Sequence, residues 1–165
     1  MNILKYGRKI FSTHNKELSR IEKENFVSER WTINNFVKPV KGKSRLSRIV
    51  FDKGKLVAYM IVTEYNNYMY LNRLVVTKKY QGKGVGAVLM NILEHNKKYS
   101  KVVLNVHNDN VRAIKFYKRL GYRALVTKKD ILQHLKDKNK LDIVERYYPI
   151  SIHTILIMEK LVGGV

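Results

Sequence analysis

One stretch constrains the chain more than any other: Leu71-Asn72-Arg73-Leu74-Val75-Val76-Thr77-Lys78-Lys79-Tyr80-Gln81-Gly82-Lys83-Gly84-Val85-Gly86-Ala87-Val88-Leu89-Met90. The residues up to Val76 read as a strand, and a helical period begins at Val85. Between them stand three glycines at alternate positions, Gly82, Gly84 and Gly86. Glycine permits a sharp turn and close backbone approach, so consecutive N–H groups can converge on one object. The positive end of a helix dipole then lies behind them, an arrangement that suits a phosphate or pyrophosphate. The spacing is not the G-x-G-x-x-G of a dinucleotide fold.

The flanking patterns place this turn inside an α/β chain. Met1 to Gly7 reads as a short strand, Asn15 to Ser28 as an amphipathic helix, and Trp31 to Val37 as a second short helix ended by Pro39. The first helix turns Leu18, Ile21, Asn25 and Phe26 to one face and its Lys and Glu residues to the other. Leu46 to Phe51, Leu56 to Thr63 and Tyr68 to Val76 are three successive antiparallel strands, joined by turn chemistry at Asp52-Lys53-Gly54-Lys55 and Glu64-Tyr65-Asn66-Asn67. Val85 to Tyr99 is a helix whose expected buried stripe is Val88, Leu89, Ile92 and Leu93. Lys101 to His107 is a strand, and Val111 to Leu120 a helix capped near Asn110 and stopped by Gly121. Tyr122 to Val126 and Ile150 to Glu159 are strands, with a polar helical segment, Lys128 to Asn139, between them. No repeat or linker interrupts this order, so residues 1–165 read as one domain.

Charge is the unusual part of the composition. Thirty-three Lys and Arg against 13 Asp and Glu give +20, which attracts polyanions such as nucleic acid or a ribosome. Lys38, Lys41, Lys43, Arg45 and Arg48 fall in a stretch without an acid and form the best candidate patch. Coding bias toward lysine is an equally simple source of such a charge. With no cysteine, disulfides and thiolate metal sites are excluded, and the five histidines show no metal-ligand spacing. The longest apolar run, Leu56 to Val62, is too short for a bilayer, and the amino terminus carries no secretory pattern, so a cytoplasmic location is expected.

Two motifs together resemble one family. Gln81-x-x-Gly84-x-Gly86 after a strand is similar to the acetyl-CoA signature of the GNAT family of N-acetyltransferases. Asn110-x-x-Ala113-x-x-x-Tyr117-x-x-x-Gly121-Tyr122 resembles the family's second motif. Ile21-Glu22-x-x-x-Phe26, Trp31, Arg146-Tyr147-Tyr148-Pro149 and Ile157-Met158-Glu159 look like parts of RimI-type N-terminal protein acetyltransferases, although residues 127–146 are longer than the usual link. The resemblance implies a mixed, mostly antiparallel sheet, flanked by helices and splayed between its fourth and fifth strands, with acetyl-CoA in the splay and no metal. By resemblance, Leu74, Val75 and Val76 lend backbone to the pantetheine. Gln81, Gly82, Lys83, Gly84, Val85, Gly86 and Ala87 wrap the pyrophosphate, Asn110 bonds the pantetheine arm, and Tyr117 stands where the family places its general acid.

The base departs from the pattern. RimI-type enzymes carry a glutamate where this chain has Asn105, and an amide takes no proton at neutral pH. His107 shares a strand face with Asn105 and has an ordinary pKa near 6.5; Tyr70 and Glu64 are further candidates. A peptide α-amine is already roughly 10–20% neutral at pH 7 and a lysine ε-amine only about 0.04%. A weak base therefore favours protein or peptide N-termini as acceptors. The alternatives are a small-molecule or lysine N-acetyltransferase, and a basic nucleic-acid or ribosome-binding module on a weakly active scaffold. Tyr65, Tyr68, Tyr70, Tyr147 and Tyr148 are candidates for a peptide groove.

Overall fold

The computed structural model describes residues 1–5, 12–26, 30–37, 45–125 and 155–163. Its elements are β1 (Asn2–Lys5), α1 (Asn15–Asn25), α2 (Ile33–Val37), β2 (Arg48–Asp52), β3 (Lys55–Glu64) and β4 (Tyr68–Val76). A 3₁₀ turn (Lys78–Tyr80) leads to α3 (Val85–Glu94), then β5 (Lys101–His107), α4 (Val111–Arg119), β6 (Arg123–Ala124) and β7 (Ile155–Leu161). The strands form one sheet in the order β1-β2-β3-β4-β5-β7-β6. Every neighbouring pair is antiparallel except β4 with β5. The β2–β3 turn places Lys53 and Gly54 at φ 48° and 75°, the left-handed pair that a two-residue hairpin needs.

The parallel seam carries the functional geometry. Tyr68 to Leu71 pair with Lys101 to Leu104, and the pairing stops there. β4 runs on to Val76 and β5 to His107, so the two strands diverge and the sheet opens between them. The expected splay between the fourth and fifth strands is present. A bulge adds to it: Ile61 opposes Arg73 while Val62 opposes Leu71, leaving Asn72 as the extra residue. The Asn72 amide donates to Thr63 Oγ1 (2.8 Å) and to the Tyr70 carbonyl (3.2 Å).

The bulge changes which β4 side chains face which layer. Met69, Leu71, Leu74 and Val76 pack with α3 and α4, in a core that includes Val85, Leu89, Met90, Leu93, Val102, Leu104 and Tyr117. Val75 packs on the other face with Leu18, Ile21, Phe36 and Tyr59 under α1 and α2. Tyr68, Tyr70 and Val103 form a smaller cluster. Burying each large aliphatic side chain contributes on the order of 2 kcal/mol, so these two layers hold the open sheet together.

Several boundaries differ from the sequence reading, each for a local reason. The first helix ends at Asn25 because that side chain donates to the Ile21 carbonyl (2.8 Å) and Phe26 is extended. Trp31 lies outside α2, its N–H donating to Glu22 (2.8 Å), and the Thr32 hydroxyl and N–H both donate to Asn35 Oδ1 at the helix start. α3 stops at Glu94, not Tyr99: the Asn96 side-chain Oδ1 accepts from Lys98 N–H in a turn, and Tyr99 is buried. Its buried stripe is Val85, Leu89, Met90 and Leu93, while Val88 is 48% exposed: Val85 and Leu89, one turn apart, face the sheet together with Met90 and Leu93, which puts Val88 on the outer side. Glu22, expected on the polar face of the first helix, is 1% exposed. Residues 6–7, Lys38, Lys41 and Lys43, the segment from 126 to 154, Tyr147 and Tyr148 lie outside the described residues.

Candidate active site

The loop after β4 is bent by two residues that need a left-handed backbone. Gly82 has φ 76° and Gly84 φ 81°, and a Cβ on either meets nothing within 4 Å, so conformation and not crowding demands glycine there. Gly86 differs. It is already helical, and a Cβ there lies 3.2 Å from Phe116 Cζ, so any larger residue must push the Phe116 ring aside by a few tenths of an ångström where α3 packs on α4. No side chain caps α3, which leaves its first-turn amides directed out of the helix N-terminus.

These amides border a cleft of about 650 Å³. One wall is the open end of β4, Leu74, Val75 and Val76; the floor is Gln81, Gly82, Gly84, Gly86 and Ala87. The opposite wall is α4, through Asn110, Ala113, Phe116 and Tyr117, and the end of α1 with Phe26 supplies the rim. Of the residues expected to hold the cofactor, Lys83 and Val85 do not line it. Val85 turns its side chain into the core, leaving only its backbone toward the loop, and Lys83 Nζ sits 5.7 Å from the Tyr80 ring centroid.

Electrostatics suit an anionic occupant. Lys78, Arg112 and Arg119 line the cleft, and its one lining acid, Glu24, accepts from Arg20 (2.6 Å). Gln81 binds across the mouth: its amide donates to the Val76 carbonyl (2.7 Å) and to Asn25 Oδ1 (3.2 Å), and its oxygen accepts from Arg112 (2.5 Å). Asn110 caps α4, its Oδ1 accepting from the Ala113 N–H (3.1 Å). Arg112 and Arg119 are not among the residues singled out from the sequence; their seven-residue spacing, two helical turns on α4, is the signal that places them on one cationic face.

Tyr117 lines the cleft and is 8% exposed, flanked edge-on by Phe116 and Tyr122. Burial pushes its phenol pKa well above the ordinary 10, so it keeps its proton throughout the physiological range. Asn105 and His107 lie on the diverging end of β5, opposite Ile157 and Ile155 of β7, and neither lines this cleft. Val102, Leu104 and Val106 face α3 and α4, so strand alternation turns Asn105 and His107 to the α1 side of the sheet. His107 is partly exposed, with Nδ1 3.9 Å from Asp109 Oδ1. Tyr70 shares that face two residues before the strands part, packed with Val103. Glu64 opposes Met69 at the closed end of the seam and does not join the site.

A buried cluster escaped sequence reasoning. Arg73 binds Glu22 through Nη2 to Oε2 (2.6 Å) and Nε to Oε1 (3.1 Å), while the Tyr59 hydroxyl donates to Oε1 and Trp31 N–H to Oε2. Burial, and next the Glu22 charge, push the Tyr59 phenol far up, so it too remains a donor. Arg48, named in the expected polyanion patch, instead turns Nη1 to the carbonyls of Arg45 (2.5 Å) and Ser47 (3.0 Å). Among the described residues no group of acids and histidines could hold a metal ion, and no helix is long and apolar enough to cross a membrane.

Comparison with known proteins agrees with this geometry. A probable spermine N(1)-acetyltransferase of Bacillus subtilis subsp. natto is 28% identical over 119 residues, 65% of this chain and 73% of that protein. Spore coat polysaccharide biosynthesis protein SpsD of Bacillus subtilis is 26% identical over 103 residues, 61% of this chain, and the match spans only 34% of that protein. Among solved structures, the ribosomal-protein-S18-alanine N-acetyltransferase of Escherichia coli shares the fold with TM-score 0.68 at 18% identity, covering 99% of this chain and 95% of that one. Arabidopsis thaliana Naa50, in complex with the bisubstrate analogue CoA-Ac-MVNAL, aligns with TM-score 0.66 at 18% identity, covering 96% and 97%. Residues 11–122 match the acetyltransferase (GNAT) family, so the chain belongs to that family and is an acetyl-CoA-dependent N-acetyltransferase.

Proposed function

We propose that the chain transfers the acetyl group of acetyl-CoA to the N-terminal α-amine of a protein or peptide. One observation carries this reading: six of the eight described carboxylates are already engaged. Glu22 is held by Arg73, Glu24 by Arg20, Glu94 by Lys160, and Glu159 by Arg123 and Lys101. Glu17 accepts from Leu56 N–H, and Asp52 accepts from Tyr80. Glu64 stands at the closed end of the seam, and Asp109 beside His107. Asp109 is the one described acid near the open end, and it is 85% exposed beyond β5 and does not line the cleft. The only acid that does, Glu24, is held by Arg20, so the described residues offer no buried carboxylate base in the cleft and no acidic track for a second ammonium. An acceptor that is partly neutral without help fits such a site, and an α-amine with pKa near 8 is one.

In the proposed reaction acetyl-CoA lies in the cleft and supplies the thioester. Leu74 to Val76 offer backbone to its pantetheine, Asn110 bonds the same arm, and the Gln81–Ala87 loop with Lys83 nearby holds the pyrophosphate, within one domain spanning residues 1–165. The amine nitrogen attacks the carbonyl carbon, the N–C bond forms and the C–S bond breaks. The ammonium proton leaves to water or to His107, with Asn105 able to hydrogen-bond the amine. Tyr117, too weak an acid to give up its proton outright, stabilises the departing thiolate by donating a hydrogen bond, and the released ammonium proton ends on sulfur.

The 28% identity to a probable spermine acetyltransferase favours a second reading, a polyamine acceptor. The +20 charge opposes it, since a polycation is repelled from such a surface. Incubation with acetyl-CoA, peptides with free or blocked N-termini, and spermine, followed by mass spectrometry, decides between them. Acetylation of free N-termini supports the proposal; product only on spermine or on lysine side chains overturns it.

A further inference from the structure

The Glu22–Arg73 cluster has a place in the fold that simple scaffolding does not require. Arg73 immediately precedes Leu74, the first cleft-lining residue of β4, and the Asn72 bulge turns its side chain to the α1 face. There the guanidinium is 11% exposed, paired through two nitrogens with a carboxylate that is 1% exposed. The Phe26 ring lies over it with 3.5 Å from Cζ to the ring centroid, and Trp31 stands at 5.5 Å. Phe26 itself lines the cleft. Both ends of the described connection from α1 to α2 are thus tied to Glu22: Phe26 N–H donates to its carbonyl (2.9 Å), and Trp31 N–H to its carboxylate.

We infer that Arg73 is a positioning residue for the acceptor. It acts through Phe26, fixing the ring as the rim against which the incoming amine and its first side chain are set. This rests on the reading of the site as one for amine acetylation. The guanidinium is consumed by Glu22 and by the ring face, so it offers no charge to the cofactor. The loop proposed to hold the pyrophosphate shares one bond with the α1 end, Gln81 to Asn25 Oδ1 (3.2 Å). Its shorter bonds, Gln81 to the Val76 carbonyl and Arg112 to Gln81, and the Phe116 packing on Gly86 lie away from Arg73. Loss of Arg73 therefore separates the two halves of the site: the acceptor half loosens and the cofactor half stays.

The test first establishes which acceptor the wild-type protein acetylates, peptide or spermine, and then uses that acceptor, so failure of the peptide reading and failure of this inference remain distinguishable. Arg73→Met is expected to raise acceptor KM at least fivefold, with acetyl-CoA Kd by calorimetry changed less than twofold. Phe26→Leu leaves the buried ion pair intact and serves where Arg73→Met fails to fold. It should raise acceptor KM by a similar factor and, on peptides, flatten the preference among first residues. Parallel weakening of acetyl-CoA binding in both variants, or an unchanged acceptor KM in Phe26→Leu, overturns the inference.

Discussion

Replacing Gly84 by alanine isolates what the left-handed turn contributes. At φ 81° a Cβ costs roughly 1–2 kcal/mol, and since it meets nothing within 4 Å no steric contact adds to that figure. For a domain of this size, about 2–4 °C of Tm accompanies each kcal/mol, so Tm should fall by about 2–8 °C if the turn keeps its conformation. If the backbone relaxes instead, the amides of the first α3 turn re-aim. Each hydrogen bond lost to a charged phosphate is worth about 1.5–3 kcal/mol, which raises acetyl-CoA Kd roughly tenfold to a hundredfold. Differential scanning fluorimetry without ligand reads the first outcome and calorimetric titration the second. Gly86→Ala is the informative contrast: its backbone is helical, so its effect must come from the 3.2 Å approach to Phe116 and should shift α3 against α4. A Gly84→Ala protein with both unchanged Tm and unchanged Kd would refute the assignment of a strained, amide-presenting turn.

Three further outcomes are expected. Tyr117→Phe should lower kcat at least tenfold with acetyl-CoA Kd nearly constant, because the ring still packs between Phe116 and Tyr122; unaltered turnover removes the hydroxyl from the chemistry. The pH profile of kcat/KM on a peptide should rise through about 8 as the α-amine loses its proton and then level off, since the raised Tyr117 pKa keeps that donor protonated beyond the ordinary phenol range. A rise continuing past pH 10 would instead identify a lysine-like acceptor. Tyr59→Phe should destabilise the fold by about 1.5–3 kcal/mol in urea titrations, having withdrawn a buried donor from a charged acceptor; no change in midpoint would show that Arg73 and Trp31 satisfy Glu22 alone.

What could be read from the chain was chiefly local. Gly82, Gly84 and Gly86, the Asn110 cap and the three strands before them all depend on neighbours within a few residues. The order of strands and helices is recoverable for the same reason. Asn105 and His107 could be assigned to one face by alternation because β5 has no bulge. The buried cluster could not: Glu22 and Arg73 are 51 residues apart, and the phase of Arg73 is set by the extra residue at Asn72. Nor does a sequence show that Glu22, in a helix rich in Lys and Glu, is the one acid turned inward. The different jobs of the three glycines were also hidden, since two serve backbone conformation and the third serves packing.

The early end of the β4–β5 pairing has a further consequence. Beyond Leu71 and Leu104 each strand presents a rim, so the molecule carries the hazards of an edge strand in the middle of its sheet. Outer edges are usually guarded by charge or by a covering element. Here the side chain of Gln81 occupies the Val76 carbonyl, a small plug at one end of an open seam. A ligand with amides along its length can complete the rest as a borrowed strand does, in the manner of β-augmentation. Acetyl-CoA would then act on the protein as well as through it: amide hydrogens of residues 72–76 should exchange more slowly in its presence, and the empty seam should be the first place where one chain mistakes another for its missing strand.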